Sequence, residues 1–226
     1  MRKLLLVFIV LGVFSCKSEE VLPIANSDVF ILTKKMDGVI MYGLGLHTYA
    51  NVQMSAVTAE DETGEVYVLK AYNNYTYEYY IETDAGDFST TLPETGSYTF
   101  SVTLTDDQVL TVSNGLLGSY IDPVEFTTCE YDADNNRIDV AWDSSSEEDY
   151  SVLILRNSDG TMVYYSSSIS SSTTSAKITT SGWVSGYSPV AGDTYTVELG
   201  MYQKESDSDI LIEAKAITSQ EVIWGN

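Results

Sequence analysis

Pro189-Val190-Ala191-Gly192-Asp193-Thr194-Tyr195-Thr196-Val197-Glu198-Leu199 is a turn that runs into a strand. Pro and Gly punctuate the backbone, and from Thr194 onward polar and apolar side chains alternate at the two-residue period of a pleated strand. Ninety-odd residues earlier the same design recurs one residue shorter, as Leu92-Pro93-Glu94-Thr95-Gly96-Ser97-Tyr98-Thr99-Phe100-Ser101-Val102. Working outward, period-2 runs predict strands at Asp28–Thr33, Val39–Gly43, Tyr49–Thr58, Glu65–Tyr72, Tyr75–Glu82, Ser97–Thr105 and Gln108–Val112. Beyond the Gly- and Pro-containing stretch from Asn114 to Pro123, seven more are expected: Val124–Tyr131, Arg137–Trp142, Tyr150–Arg156, Thr161–Ser166, Ser175–Thr180, Thr194–Gln203 and Asp209–Thr218. No long stretch carries a 3.6-residue period, and 17 Tyr with many β-branched residues suit a pleated surface. The expectation is an all-β chain of two tandem antiparallel β-sandwiches, residues 27–115 and 123–226, since seven strands per hundred residues is the arithmetic of that fold.

The second half resembles a fibronectin type III domain from Pro123 to Thr218. Ile138-Asp139-Val140-Ala141-Trp142 looks like that family's second strand with its core Trp, and Tyr150-Ser151-Val152-Leu153-Ile154 like the strand after it. The resemblance puts Tyr195 at the tyrosine-corner position of the sixth strand. The first half lacks a counterpart of Trp142 and is read as Ig-like.

The charge sets limits on partners. With 33 acidic and 11 basic side chains among 226 residues, the formal charge is −22 and the isoelectric point near 4.1. Such a surface repels phosphate backbones, so nucleic acid is excluded as a partner. At the N-terminus, Arg2 and Lys3 precede an apolar run from Leu4 to Phe14, then Ser15 and Cys16. That is the anatomy of a signal peptide over residues 1–15, too short to span a bilayer, which takes about 20 apolar residues. Val13-Phe14-Ser15-Cys16 resembles a bacterial lipoprotein signal, although Phe14 stands where the family has a small residue. The resemblance implies that Cys16 becomes the lipidated first residue of the mature protein, palmitate included. Residues 16–26 then form the lipidated Cys and tether. Lys17-Ser18-Glu19-Glu20 looks like the acidic export tag of Bacteroidota-type surface lipoproteins, implying an outer-membrane anchor facing the exterior; the same residues also suit a plain solvated tether. Because charge opposes adsorption to anionic membranes, lipid has to supply the attachment.

Chemistry is sparse. His47 is the sole histidine, and with Cys16 lipidated, Cys129 is the sole thiol, set in an alternating run where it reads as a small core residue. One His and one Cys cannot assemble a zinc site, and no nucleotide-binding glycine motif occurs, so neither metal nor cofactor is expected. Asp132-Ala133-Asp134-Asn135-Asn136 followed by Asp143 copies part of a calcium loop but has Arg137 where the loop needs Gly, so a hairpin turn explains it better. Aromatic residues are the positive signal. Tyr75, Tyr77, Tyr79 and Ile81 form one face of a strand, read as core, while Tyr80 stands alone on the polar face. Trp183 and Tyr187 lie in the Gly/Ser-rich loop from Ser181 to Ser188, where the Trp serves either as a stacking platform or as a plug under the sandwich. The candidate ligand contacts are therefore Trp183, Tyr187 and Tyr80, and no residue is assigned to catalysis. The functional expectation is a non-catalytic binding or adhesion module with a glycan or protein ligand. Its alternatives are an accessory glycan-binding protein of an uptake system, and a structural spacer or subunit of a surface assembly.

Overall fold

The computed structural model describes residues 22–225 except positions 73, 207 and 209. The leader, Cys16 and the first half of the tether lie outside the described residues. Every regular element among the described residues is a strand. The first seven are β1 (Ala25–Met36), β2 (Val39–Ala50), β3 (Met54–Asp61), β4 (Val66–Tyr72), β5 (Tyr75–Glu82), β6 (Gly96–Leu104) and β7 (Val109–Leu116). Eight more follow: β8 (Phe126–Asp132), β9 (Arg137–Trp142), β10 (Tyr150–Arg156), β11 (Met162–Tyr165), β12 (Ile169–Ser170), β13 (Ser175–Ile178), β14 (Thr194–Lys204) and β15 (Ile212–Ile223).

Alternation drives each half to bury one face. In the C-terminal lobe, β13-β9-β8 cover β11-β10-β14-β15, and the layer between them holds Ile138, Val140, Trp142, Leu153, Leu155, Val197, Leu199 and Tyr195. The hydroxyl of Tyr195 accepts the N–H of Val190 at 3.2 Å, a tyrosine corner fastening the turn to its strand. In the N-terminal lobe, β1, β2 and β5 lie over β3, β6 and β7, with Val29, Ile31, Leu46, Met54, Phe100 and Val102 between them. β4 belongs to both layers: Val66–Leu69 pair with β3 and Lys70–Tyr72 with β5, so this strand turns the corner.

The lobes are not beads on a string. β1 pairs in parallel with β15, Ile31 opposite Ala214 and Lys34 opposite Ile217, so one sheet runs unbroken from β11 to β7. The connector after β7 is pinned along this seam. Thr33 Oγ1 donates to the Ile121 carbonyl at 2.5 Å, Thr218 Oγ1 to that of Val124 at 2.6 Å, and Lys35 meets Glu125 at 2.7 Å. Both hydrophobic layers lie on the same face of the shared sheet. The other face carries Phe30, Leu32, Glu82, Tyr150, Tyr202 and Lys215, as the cross-strand registers require. That face would be solvent-exposed in a lone sandwich, yet Phe30 is 4% and Leu32 0% exposed. The sheet folds along β1 and β15, and the lobes meet across it: Lys215 Nζ donates to Glu82 at 2.8 Å, and Tyr72 of β4 reaches Met162 of β11. Tyr150 and Tyr202 stack at 4.9 Å in the same layer.

This junction corrects one strand boundary. The pattern predicted a strand ending at Gly43 and another starting at Tyr49, whereas β2 runs unbroken from Val39 to Ala50. Its glycines serve packing. Phe30 lies directly opposite Gly45, and a Cβ there would fall 2.3 Å from the Phe30 ring. The last strand is likewise displaced, from the expected 209–218 to Ile212–Ile223, because its pairing with β14 continues to Thr194 opposite Ile223.

Gly45→Ala should therefore destabilise the protein by about 1–3 kcal/mol through overpacking. Adding Phe30→Ala should cost less than the two single changes summed, measured by urea unfolding, because both act on one contact. A second expectation concerns Asp28 of β1, only 2% exposed, whose Oδ2 accepts the Ile212 N–H at 2.7 Å. Burial pushes its pKa up to about 7 against the ordinary 3.8. The native state thus holds a proton that the unfolded chain has released, and Asp28's contribution is full below about pH 3.8 and lost as pH rises through about 7. In Asp28→Asn, stability relative to wild type should rise between pH 5 and pH 8, read from urea midpoints at each pH.

Candidate ligand cleft

The concavity of the N-terminal lobe arises where β4 changes layers. A cleft of about 810 Å3 opens between β2 and β5 on one side and the β3–β4 turn, the β5–β6 connection and the start of β6 on the other. That size is ordinary for a small-ligand site.

Each wall is held from the sequence upward. The β3–β4 turn is built on Asp61, whose Oδ1 accepts the Thr63 hydroxyl at 2.7 Å and the N–H groups of Thr63 and Glu65 at 2.9 and 3.0 Å. These bonds, the Thr63 hydroxyl foremost, hold the Asp61 carboxyl below its usual range. Gly64 at φ +89° closes the turn. Glu62 Oε1 then accepts the Ser97 N–H at 2.9 Å, tying the turn to β6. Across the cleft, the thirteen residues between β5 and β6 are laced to β2. Thr83 Oγ1 accepts the Leu44 N–H at 2.7 Å, and Ser89 exchanges backbone bonds with Tyr42 at 2.7 and 2.9 Å. Gly43 admits this lacing, since a Cβ would stand 2.8 Å from Thr83. Phe88 lies beside Gly43, under the Lys34 ammonium at 4.1 Å from its ring centre.

Tyrosine, hydroxyl and carboxylate groups dominate the lining. Tyr42, Tyr67, Tyr80 and Tyr98 line it together with seven acidic residues and one basic one, Lys70; of the seven carboxylates, that of Glu82 is paired with Lys215. Tyr80 is 37% exposed and packs on Tyr72 with ring centres 5.3 Å apart. Its strand neighbours in register are His47 on one side and Lys70 on the other. Tyr67 donates to Asp61 Oδ2 at 3.4 Å, and burial foremost, then Tyr98 and Glu65, pushes its phenol above the ordinary range, so it stays a neutral donor.

The three aromatic residues singled out in the sequence do not converge. Every residue lining the cleft comes from 42–98, so Tyr80 is there without Trp183 or Tyr187. Trp183 lies on the C-terminal lobe, its ring edge-on to Tyr195 at 5.3 Å and to Trp224 at 5.6 Å, its Nε1 donating to the Thr179 carbonyl at 2.8 Å. This is the plug arrangement, with the ring half-buried on the core. Tyr187, four residues on, is 43% exposed in a turn closed by its N–H to the Val184 carbonyl.

Neither His47 nor Cys129 lines the cleft. His47 Nε2 lies 2.9 Å from Glu78, which this bond holds below the ordinary carboxylate range. Burial pushes the Cys129 thiol up to about 11. At the calcium-like segment, Arg137 forks onto Asp139 and reaches Asp132, so the residue that breaks the motif also pairs with its first acid. Tyr42, Tyr67 and Lys70 went unnoticed in the sequence because they are core-like or ordinary strand residues; the one available signal was the long β5–β6 gap.

No family model matches the chain, and no curated protein does. Among solved structures it is similar to a two-domain fibronectin type III segment of chicken tenascin, at 13% identity over 87% of this chain and 97% of that one, with a TM-score of 0.32. It is similar to the FN1–FN3 domains of chicken CNTN1 at 11% identity over 90% and 65%, TM-score 0.31. The adhesin domain of Epf from Streptococcus pyogenes gives 11% identity over 88% and 76%, TM-score 0.28. At these scores the likenesses fix neither a strand order nor a ligand for this chain.

Trp183→Ala should cost about 2 kcal/mol of stability, below the range for a fully buried Trp. Tyr187→Ala should cost within about 0.5 kcal/mol, as an exposed loop residue does. Thermal unfolding of the pair distinguishes plug from surface ring.

Proposed function

We propose that this chain is an outer-membrane lipoprotein, anchored through Cys16 and facing the cell exterior, that acts as a non-catalytic binding or adhesion module. The observation carrying the proposal is the open cleft, which offers an exposed ring, hydroxyls and carboxylates, while His47 is bonded to Glu78 and Cys129 is buried, both outside its lining. Tyr187, exposed beside the Trp183 plug, offers a second contact on the other lobe. The ring-and-carboxylate lining favours, as a second reading, the accessory glycan-binding role. Acyl chains hold the protein, the tether sets its reach, and the lobes present the contacts.

Cells producing the full chain should incorporate labelled palmitate and retain fluorescent members of a panel of glycans and matrix proteins. Cys16→Ala should abolish palmitate incorporation and surface retention together, while the released protein keeps its binding. Retention unaffected by Cys16→Ala would refute the anchor, and a chain that retains no member of the panel would refute the binding role.

A further inference from the structure

We infer that the N-terminal cleft is a site for a neutral oligosaccharide, with Tyr80 as the stacking ring and Lys70 as the donor beside it; the inference rests on the binding-module reading and names the ligand of that site. The reasoning starts from what a ligand must match. The walls present acceptors in the carboxylates, mixed donor-acceptors in the hydroxyls of Thr91 and Thr95, and a pure donor in Lys70. A hydroxyl donates and accepts, so a polyol can satisfy all three kinds of group. An ammonium or guanidinium side chain only donates, and would meet the Lys70 charge next to the exposed ring.

Charge narrows the class further. With Glu82 paired to Lys215, six further carboxylates against one ammonium repel uronic, sialylated or sulfated chains. The same excess attracts polycations, so hexalysine is the competing ligand that the test has to rule out. What distinguishes the cleft is its geometry. Tyr80 offers a ring in a concavity whose rims are fixed by Asp61 on one side and by the Thr83 and Ser89 bonds to β2 on the other. Pre-set walls of this kind save a flexible polar ligand part of the ordering cost of binding. Among the described residues, the carboxylates of Asp84, Asp87 and Glu94 have no side-chain partner, which leaves them available to sugar hydroxyls.

The test uses the chain from Lys17 onward, which keeps every described residue, in calorimetry against cellohexaose, xylohexaose, mannohexaose and maltohexaose. Polygalacturonate serves as the acidic probe and hexalysine as the cationic one. At least one neutral hexaose should bind, with affinity falling tenfold or more in Tyr80→Ala and severalfold in Lys70→Ala. Unchanged circular dichroism and melting temperature show that each variant folds, and Tyr165→Ala, at an exposed ring of β11 on the other lobe, should leave the affinity as it was. Binding that survives Tyr80→Ala and Lys70→Ala overturns the cleft assignment while the module still stands as a binder. Binding of hexalysine or polygalacturonate alone overturns the ligand class. If no probe binds, the inference falls, and retention of matrix proteins on cells would still uphold the broader reading.

Discussion

The parallel ladder between β1 and β15 is the constraint on which the rest of the molecule depends. Parallel neighbours far apart in sequence close a long loop, so the ladder has to be supported by more than its own hydrogen bonds. The support comes from both faces. On one, Ile31 joins the N-terminal hydrophobic layer while Ala214 and Ala216 join the C-terminal one. On the other, Phe30 and Leu32 are covered by the fold of the sheet, with Gly43 and Gly45 opposite making room. Lys215 and Glu82 then sit where the lobes meet, an arrangement whose value lies in fixing how the lobes face each other more than in net stabilisation.

Strand content was legible because it is written locally. Alternation found β9 at its observed bounds of Arg137–Trp142, β10 at Tyr150–Arg156 and β5 at Tyr75–Glu82. What is written between distant residues was not. Gly43 and Gly45 look like breakers until Phe30 and Thr83 are known to stand against them. The ladder joining the lobes left only a partial mark: the unbroken apolar run Val29-Phe30-Ile31-Leu32 signals a strand buried on both faces, but does not say which strand lies beside it. The site followed the same rule. Tyr80 could be singled out as a ring on the wrong face of its strand, but the cleft around it depends on β4 crossing between layers and on a connection laced to β2. Trp183 was conspicuous for its loop composition, and only the positions of Tyr195 and Trp224 reveal that it packs against the core.

The acid excess and the rigidity of the cleft answer separate demands. A charge of −22 keeps a Tyr- and Thr-rich surface from self-associating, a need made sharper by the free edges of β-sheets. The cleft walls gain order instead from neutral or locally compensated bonds: the Asp61 turn, the Thr83 and Ser89 lacing, and the glycines that let backbones approach. These persist at salt concentrations that screen surface charge.

The position of β1 also decides how the molecule answers a pull. A force applied to the chain at Leu22 enters at the head of β1, which lies flanked by a twelve-residue antiparallel ladder with β2 and the parallel ladder with β15. Drawing the strand out along its axis loads those hydrogen bonds together instead of one after another, and Phe30 and Leu32 must leave their cover at the same moment. Resistance of that sort is a matter of the rate of rupture, not of equilibrium stability. The seam that joins the lobes is thus also the strap by which the fold would bear tension from its N-terminal side.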